Sequence, residues 1–327
     1  MTQINRRQAL VSALALLASF PTPVVHAQAK YPERPIRVIV PFAAGGVGDA
    51  TMRLLAPRME QQLGQKLVIE SKPGASGNIG TLEVARAQPD GYTVLVGAMG
   101  NFVINQFLTK MSFDPLTALM PVAKVVDIPI VLFSNSSVPA RNLSQFIAYA
   151  GANPGKLNYG SQGNGSLNHL LIERFKQVAG LEIIHIPYGG SPPAMLALLA
   201  NQIQLFSAAL VVGAAQVGEG RLTILAVTTE KRLPALPDVP TMIEAGFPKL
   251  TILNWWGMAA PEGTPAPVIR TLNQAVTDAL RDPLVVERFA TLGMLVPTQT
   301  IEQFTANLKS EAALWSQVIQ RGKIASE

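Results

Sequence analysis

Between Val38 and Arg53 the chain reads VIVPFAAGGVGDATMR. The residues able to do chemistry here are those with the least side chain. Ala43, Ala44, Gly45, Gly46, Val47 and Gly48 bare peptide N–H groups where an apolar strand hands over to a helix. Unpaired N–H groups at the positive end of a helix dipole attract an anion, and a missing Cβ lets it come close. Asp49 closes the run. An acid in a first helical turn caps backbone, or accepts from a hydroxyl or ammonium group on a ligand.

The same unit returns near mid-chain as LNYGSQGNGSLNHLLIERF. From Gly160 to Ser166 it adds the hydroxyls of Ser161 and Ser166, which hold a carboxylate without charge. His169 follows in the helix, where a bond to backbone or a ligand contact would occupy its ring. Two such turns, one per half, suit a protein whose halves face a cleft.

Sharper chemistry finds no motif. G-x-x-x-x-G-K-[ST], the full G-x-G-x-x-G, G-x-S-x-G and H-E-x-x-H are all missing. The chain has no cysteine and three histidines, which excludes disulfides and thiolate metal sites and disfavours a histidine cage. The expectation is binding without catalysis, with no cofactor and no metal. A secreted serine hydrolase using Ser166 and His169 is the enzymatic alternative.

The elements that must position these turns alternate. Apolar runs such as IRVIVPF, KLVIES, YTVLVGA, IPIVLFSN, KLNYGS, LEIIHIPY, IQLFSAAL, LTILAVTT and ILNWWGMAA read as strands. Helices are expected from Thr51 to Leu63, with a kink or break at Pro57, from GNIGTLEVARA, NLSQFIAYAGANPG, SLNHLLIERFKQVAG and SPPAMLALLANQ, from Pro265 to Leu292, and at the C-terminus. This is an α/β chain with mostly parallel sheets. Its 327 residues, 48% hydrophobic and 14% charged, can bury a substantial core.

Arg6 and Arg7 precede the apolar ALVSALALLASF, and PTPVVHA then places Val25 and Ala27 at signal-peptidase spacing. Residues 1–27 are expected to be a signal peptide, directing the chain to the periplasm. They hold two arginines and no acid, so the remainder, 24 basic against 21 acidic residues, carries +3. With no basic run and 6% aromatics, nothing supports nucleic-acid binding.

Six blocks in order, YPERPIRVIVPFAAGGVGDATMR, SKPGASGNIG, PDGYTVLVGAMG, NYGSQGNGSLNHLLIERFKQVAG, IIHIPYGGSPPAMLALL and LPDVPTMIEAGF, resemble the solute-binding receptors of tripartite tricarboxylate transporters, the Bug family. The resemblance implies a two-lobed periplasmic binding protein of type II, a clamshell with a mostly parallel sheet flanked by helices in each lobe. Lobe 1 would comprise 28–126 and 230–327, lobe 2 would comprise 127–229, and hinges would lie near Val126 and Thr228. It implies capture of a small organic carboxylate by a monomer and delivery to membrane transporter subunits, or presentation to a membrane signalling protein. Carried onto this chain, the ligand residues are Phe42, Ala44, Gly46, Asp49, Met99 and Asn101 from one lobe. Ser161, Gly163, Ser166, His169, Tyr188 and Gly189 come from the other. Where the family often has lysine this chain has Gly189, and where an acid often follows IQLF it has Ser207. Ser207 therefore joins the ligand set, facing a solute whose distal part is uncharged, aromatic or apolar.

Overall fold

β1 (Ile36–Val40) is apolar throughout its inner face, and everything nearby organises around it. The computed structural model describes residues 31–324; the expected signal peptide, residues 1–27, lies outside them. β2 (Leu67–Ser71) and β3 (Thr93–Ala98) flank β1 in parallel. β4 (Leu119–Asn135) then runs 17 residues. β5 (Asn158–Ser161), β6 (Ile184–Pro187), β7 (Leu205–Ala209), β8 (Leu222–Val227) and β9 (Leu253–Pro261) complete the sheet. The strand order is β2-β1-β3-β9-β4-β7-β5-β6, with β8 also paired to β4.

β4 is the seam. From Leu119 to Pro129 it pairs antiparallel with β9. From Ile130 onward it pairs with β7 and β8. One half of the sheet thus centres on the parallel trio β2-β1-β3, the other on β6-β5-β7. Parallel trios aim their carboxyl ends at one edge, so the turns after β1 and β3 are neighbours, as are those after β5 and β6.

Among the described residues the helices of eight residues or more are α1 (Val47–Leu63), α2 (Asn78–Ala85), α3 (Leu143–Ala152), α4 (Leu167–Ala179), α5 (Ser191–Leu199), α6 (Ala266–Leu280), α7 (Pro283–Thr291) and α8 (Ile301–Gly322). α1 starts four residues before its expected Thr51 and buries Met52, Leu55, Met59 and Leu63. It continues through Pro57. Pro57 and Arg53, whose carbonyl loses its helical donor there, are both exposed, so water can meet that oxygen. The single helix expected over Pro265–Leu292 is two, because Asp282 caps Leu284 N and Pro283 opens α7.

α8 packs against β4 and α4. Its Phe304 packs on Trp255 and Phe102, with ring centroids 5.1 and 6.2 Å away. Its start is secured by a Thr300–Gln303 capping box. None of the described helices is long and apolar enough to cross a membrane.

Candidate functional site

Helix starts separate into two kinds. Asn142, Ser166, Asp282 and Thr300 cap α3, α4, α7 and α8 with their side chains. α1, α2 and α5 begin at Gly46, Gly77 and Gly190, with no side-chain cap. Pro265 opens α6, also uncapped. Two of the glycine starts, Gly46 and Gly190, follow turns singled out in the sequence, whereas the turn from Gly160 leads into the Ser166-capped α4; the three glycine starts have no side-chain cap on their first N–H groups.

In the turn after β1, Ala43, Ala44, Gly45 and Gly46 are exposed. Gly46 N donates to Ala43 O at 3.2 Å. Asp49 braces the turn from below: Oδ2 accepts from Gly45 N at 3.0 Å and from Arg53 Nε at 2.9 Å. The Arg53 bond, aided by Gly45, holds this carboxyl below its ordinary range against the opposing effect of burial. Oδ1 is buried with no partner. Phe42 meets Trp256 edge-on, centroids 5.1 Å apart.

Gly48 lies where the Trp256 ring packs, and a Cβ there would overlap the ring. Gly48→Ala is therefore expected to cost about 1–3 kcal/mol through overpacking and to displace Phe42. Gly151→Ala, in α3 with nothing within 4 Å of its Cβ position, should be neutral or slightly stabilising. Thermal midpoints of the two variants measure the contrast, and equal midpoints would refute the close approach.

A second loop reaches the same place. Gly74, Ala75, Ser76 and Gly77 all have positive φ, at 135°, 47°, 55° and 88°. Two non-glycine residues there carry backbone strain. Asn101 Nδ2 and Asn105 Nδ2 hold the loop by donating to Ser76 O at 3.1 and 3.0 Å. Asn101 Oδ1 also accepts from Ala98 N. A Cβ at Gly77 would strike Asn101 and lie 3.2 Å from Phe42 Cζ, so Gly77 brings Phe42 and Asn101 together. The left-handed Ala75–Ser76 pair had no sequence signal beyond the flanking glycines. Met99 is 2% exposed, with its side chain in the core.

The other half holds its own cluster. Ser161 Oγ donates to Gly163 O at 3.0 Å, accepts from Gly163 N at 3.1 Å and lies 2.7 Å from His185 Nε2. Ser166 Oγ caps His169 N at 3.3 Å. His169 Nδ1 accepts from Gly165 N at 3.0 Å. The His169 and His185 rings stack at 3.8 Å, and Tyr159 stacks on His185 at 4.9 Å. Burial pushes both histidines down to about 4, with His185 a further cause for His169. The turn thus spends its bonds of Gly163, Gly165, Ser161 and Ser166 on itself.

Tyr188 N donates to Ser161 O at 3.2 Å, which sets the Tyr188–Gly190 turn beside the first. Gly189 is exposed. Ser207 is fully buried in β7 opposite Leu132, its Oγ donating to Asn168 O at 3.3 Å. The two halves meet where Leu108 fills the space beside Gly165. Near this junction a cavity of about 550 Å³ is lined by Ser76, Asn78, Ile79 and Asn164. Of these four, only Asn164 lies in a turn that the sequence marked.

Ser166 and His169 are not bonded to each other as nucleophile and base. Ser166 Oγ bonds to the His169 backbone, and the His169 ring bonds to Gly165 instead. A nucleophile needs the ring nitrogen of its base. Ser161 does approach His185, but its hydroxyl is buried and already donates to a carbonyl.

Two parallel trios joined through β4 and β9, with uncapped helix starts at their carboxyl edges, define a two-lobed periplasmic binding protein of type II. The model of the tripartite tricarboxylate transporter family receptor matches residues 51–324. The chain belongs to that family. It is 39% identical over 257 residues to a UPF0065 protein of Bordetella pertussis, spanning 79% of this chain and 80% of the relative. Among solved structures, MatC (Rpa3494) from Rhodopseudomonas palustris with bound malate is 32% identical with a TM-score of 0.72, covering 88% of this chain and 100% of that one. R. palustris Rpa4515 with adipate is 33% identical with a TM-score of 0.76, covering 91% and 100%.

Proposed function

We propose that this receptor captures a small organic carboxylate between its lobes in the periplasm and hands it to a tripartite tricarboxylate-type membrane transporter. The observation that carries the reading is the uncapped, exposed start of α1 at Gly46. Its first N–H groups and dipole supply a carboxylate site without a counter-charge. The malate and adipate in two relatives support the same ligand class.

In this reading Phe42, Ala44, Gly46, Asp49, Met99 and Asn101 serve the carboxylate from lobe 1, Asn101 and Met99 by shaping the turn. Ser161, Gly163, Ser166, His169, Tyr188 and Gly189 serve it from lobe 2, and Ser207 serves the uncharged, aromatic or apolar distal part of the same solute. The second turn is held rigid by its own bonds and contributes a preorganised wall. Asp49 Oδ1 gives an acceptor for a solute hydroxyl. The hinge runs through Val126–Ile130 and the stretch from Thr228 to Leu253. There Thr228 N donates to Ile130 O, and Ile252 N donates to Thr228 O. The role is binding without chemistry, by one copy of the chain.

Thermal unfolding against mono-, di- and tricarboxylates and their neutral amides tests this, using protein unfolded and refolded to strip host solutes. A carboxylate present at a thousand times its Kd should add about 4 kcal/mol, a rise of several degrees. The matching amide should add nothing. No rise with any carboxylate would overturn the reading.

A further inference from the structure

Trp255 and Trp256 are successive residues of β9, so their side chains point to opposite faces. Trp256 faces Gly48 and the α1 turn. Trp255 faces a cavity of about 540 Å³ on the other side, bounded by β4, the segment after β8, the start of β9 and α8. Of the thirteen residues assigned to the solute, only Met99 lines it.

This cavity is charged and incompletely paired. Lys124 and Asp127, 6% and 7% exposed, pair at 3.1 Å. Glu311 Oε2 accepts from Trp255 Nε1 at 2.8 Å. Among its buried side chains one ammonium, which also lies 5.4 Å from the centre of the Trp255 ring, thus faces two carboxylates, while the exposed Glu230, Lys231 and Arg232 line its outer side. Burial pushes both carboxyls up, although Lys124 draws both down. Three wall atoms, Trp315 Nε1, Thr251 Oγ1 and Gln299 Oε1, are buried without a partner. Trp315 is 1% exposed. Five side-chain atoms are in that condition among the described residues, and three of them gather here. They comprise a donor, an acceptor and a hydroxyl, which can all be met by one polar occupant. The volume suits a small organic molecule.

We propose that the cavity is a second ligand site, for a small organic ammonium compound that also carries a hydrogen-bond acceptor. The ammonium balances the second carboxylate and lies against the indole of Trp315, since Lys124 already lies over Trp255. Gln299 Oε1 accepts a hydrogen bond from it, and Trp315 Nε1 donates to the acceptor. The occupant touches both strands that cross between the sheet halves, Asp127 on β4 and Leu253 on β9. Its binding therefore couples to lobe closure and, reciprocally, to the solute in the cleft. Its charge is opposite to that of the cleft ligand, and its binding does not depend on the cleft binding anything.

Calorimetric titration of the whole protein with 5-aminopentan-1-ol, against pentane-1,5-diol as the uncharged counterpart, tests the site. The amine is expected to bind at least tenfold more tightly than the diol and to change tryptophan fluorescence. Glu311→Gln should weaken it at least tenfold. Should that variant fail to fold, Gln299→Leu on the cavity wall should still weaken it severalfold. Equal affinity for amine and diol, no binding of the amine, or wild-type affinity in these variants would overturn the proposal. A carboxylate titration run in parallel reports on the cleft separately.

Discussion

Replacing Asp127 by alanine is expected to cost about 3–5 kcal/mol, because it leaves a buried ammonium without its partner. In a chain of this size that lowers the midpoint by on the order of 10 °C. Lys124 is 6% exposed, and Asp127 Oδ1 lies 3.1 Å from its Nζ. The pair itself is a different matter. Burial raises the Asp127 carboxyl more than Lys124 lowers it, so forming the pair gains less than desolvation costs. The double variant Lys124→Met/Asp127→Leu should therefore recover the loss and equal or exceed the wild type. Denaturant melts of the single and double variants decide. A single variant within about 1 kcal/mol of wild type, well below the buried-pair range, would show that the ammonium finds water or Glu311 instead.

Acid should loosen the second lobe before it reaches ordinary carboxylates. His169 and His185 sit at about 4 in the fold, against an ordinary 6.5. The unfolded chain thus takes up protons first. Stability is full above pH 6.5 and drains as pH falls toward 4. The gap is worth on the order of 3 kcal/mol per ring, somewhat less for the more exposed His185. The local reason is geometric. His169 Nδ1 is occupied by Gly165 N–H, so protonation there breaks a bond of the turn. A second imidazolium would lie 3.8 Å away. Glu173 favours the charged forms and Lys176 opposes them. Midpoints measured from pH 7.5 to 4 should fall more steeply in the wild type than in His169→Asn/His185→Gln. Parallel slopes, or imidazole resonances titrating near 6.5, would contradict the stacked, neutral pair.

The alternation of strands and helices was readable because their apolar runs are short and punctuated by glycine and proline. The first half of β4 was not. Pro121, Lys124 and Asp127 argue against a strand in isolation, and only pairing with β9, with its register shifts near Pro121 and Lys124, makes them one. The break at Asp282-Pro283 was visible as a cap followed by proline, but the apolar period on both sides masked it. The turns of the candidate site could be found from their glycines. What those glycines adjoin could not, since Gly77 meets Phe42 and Asn101 across long sequence separations. Nor could the sequence reveal that Ser161 and His169 are already committed within their own turn, because both bonds depend on the backbone path through Gly163 and Gly165. Trp255 and Trp256 looked alike as neighbouring aromatics; strand geometry gives them different rooms.

The placement of β9 between β3 and β4 has a consequence for the order in which the chain can mature. β1, β2 and β3 come first from the ribosome, yet β3 lacks its antiparallel neighbour until Pro261 has been made. Phe102 then waits for Phe304 on α8. The second sheet half, contiguous from Ile130 to Val227 apart from its seam, can pair before that. Contacts so distant in sequence close slowly. The half that begins the chain is thus the last to be finished, and a nascent chain stalled before residue 253 would hold a paired second half beside an open first one.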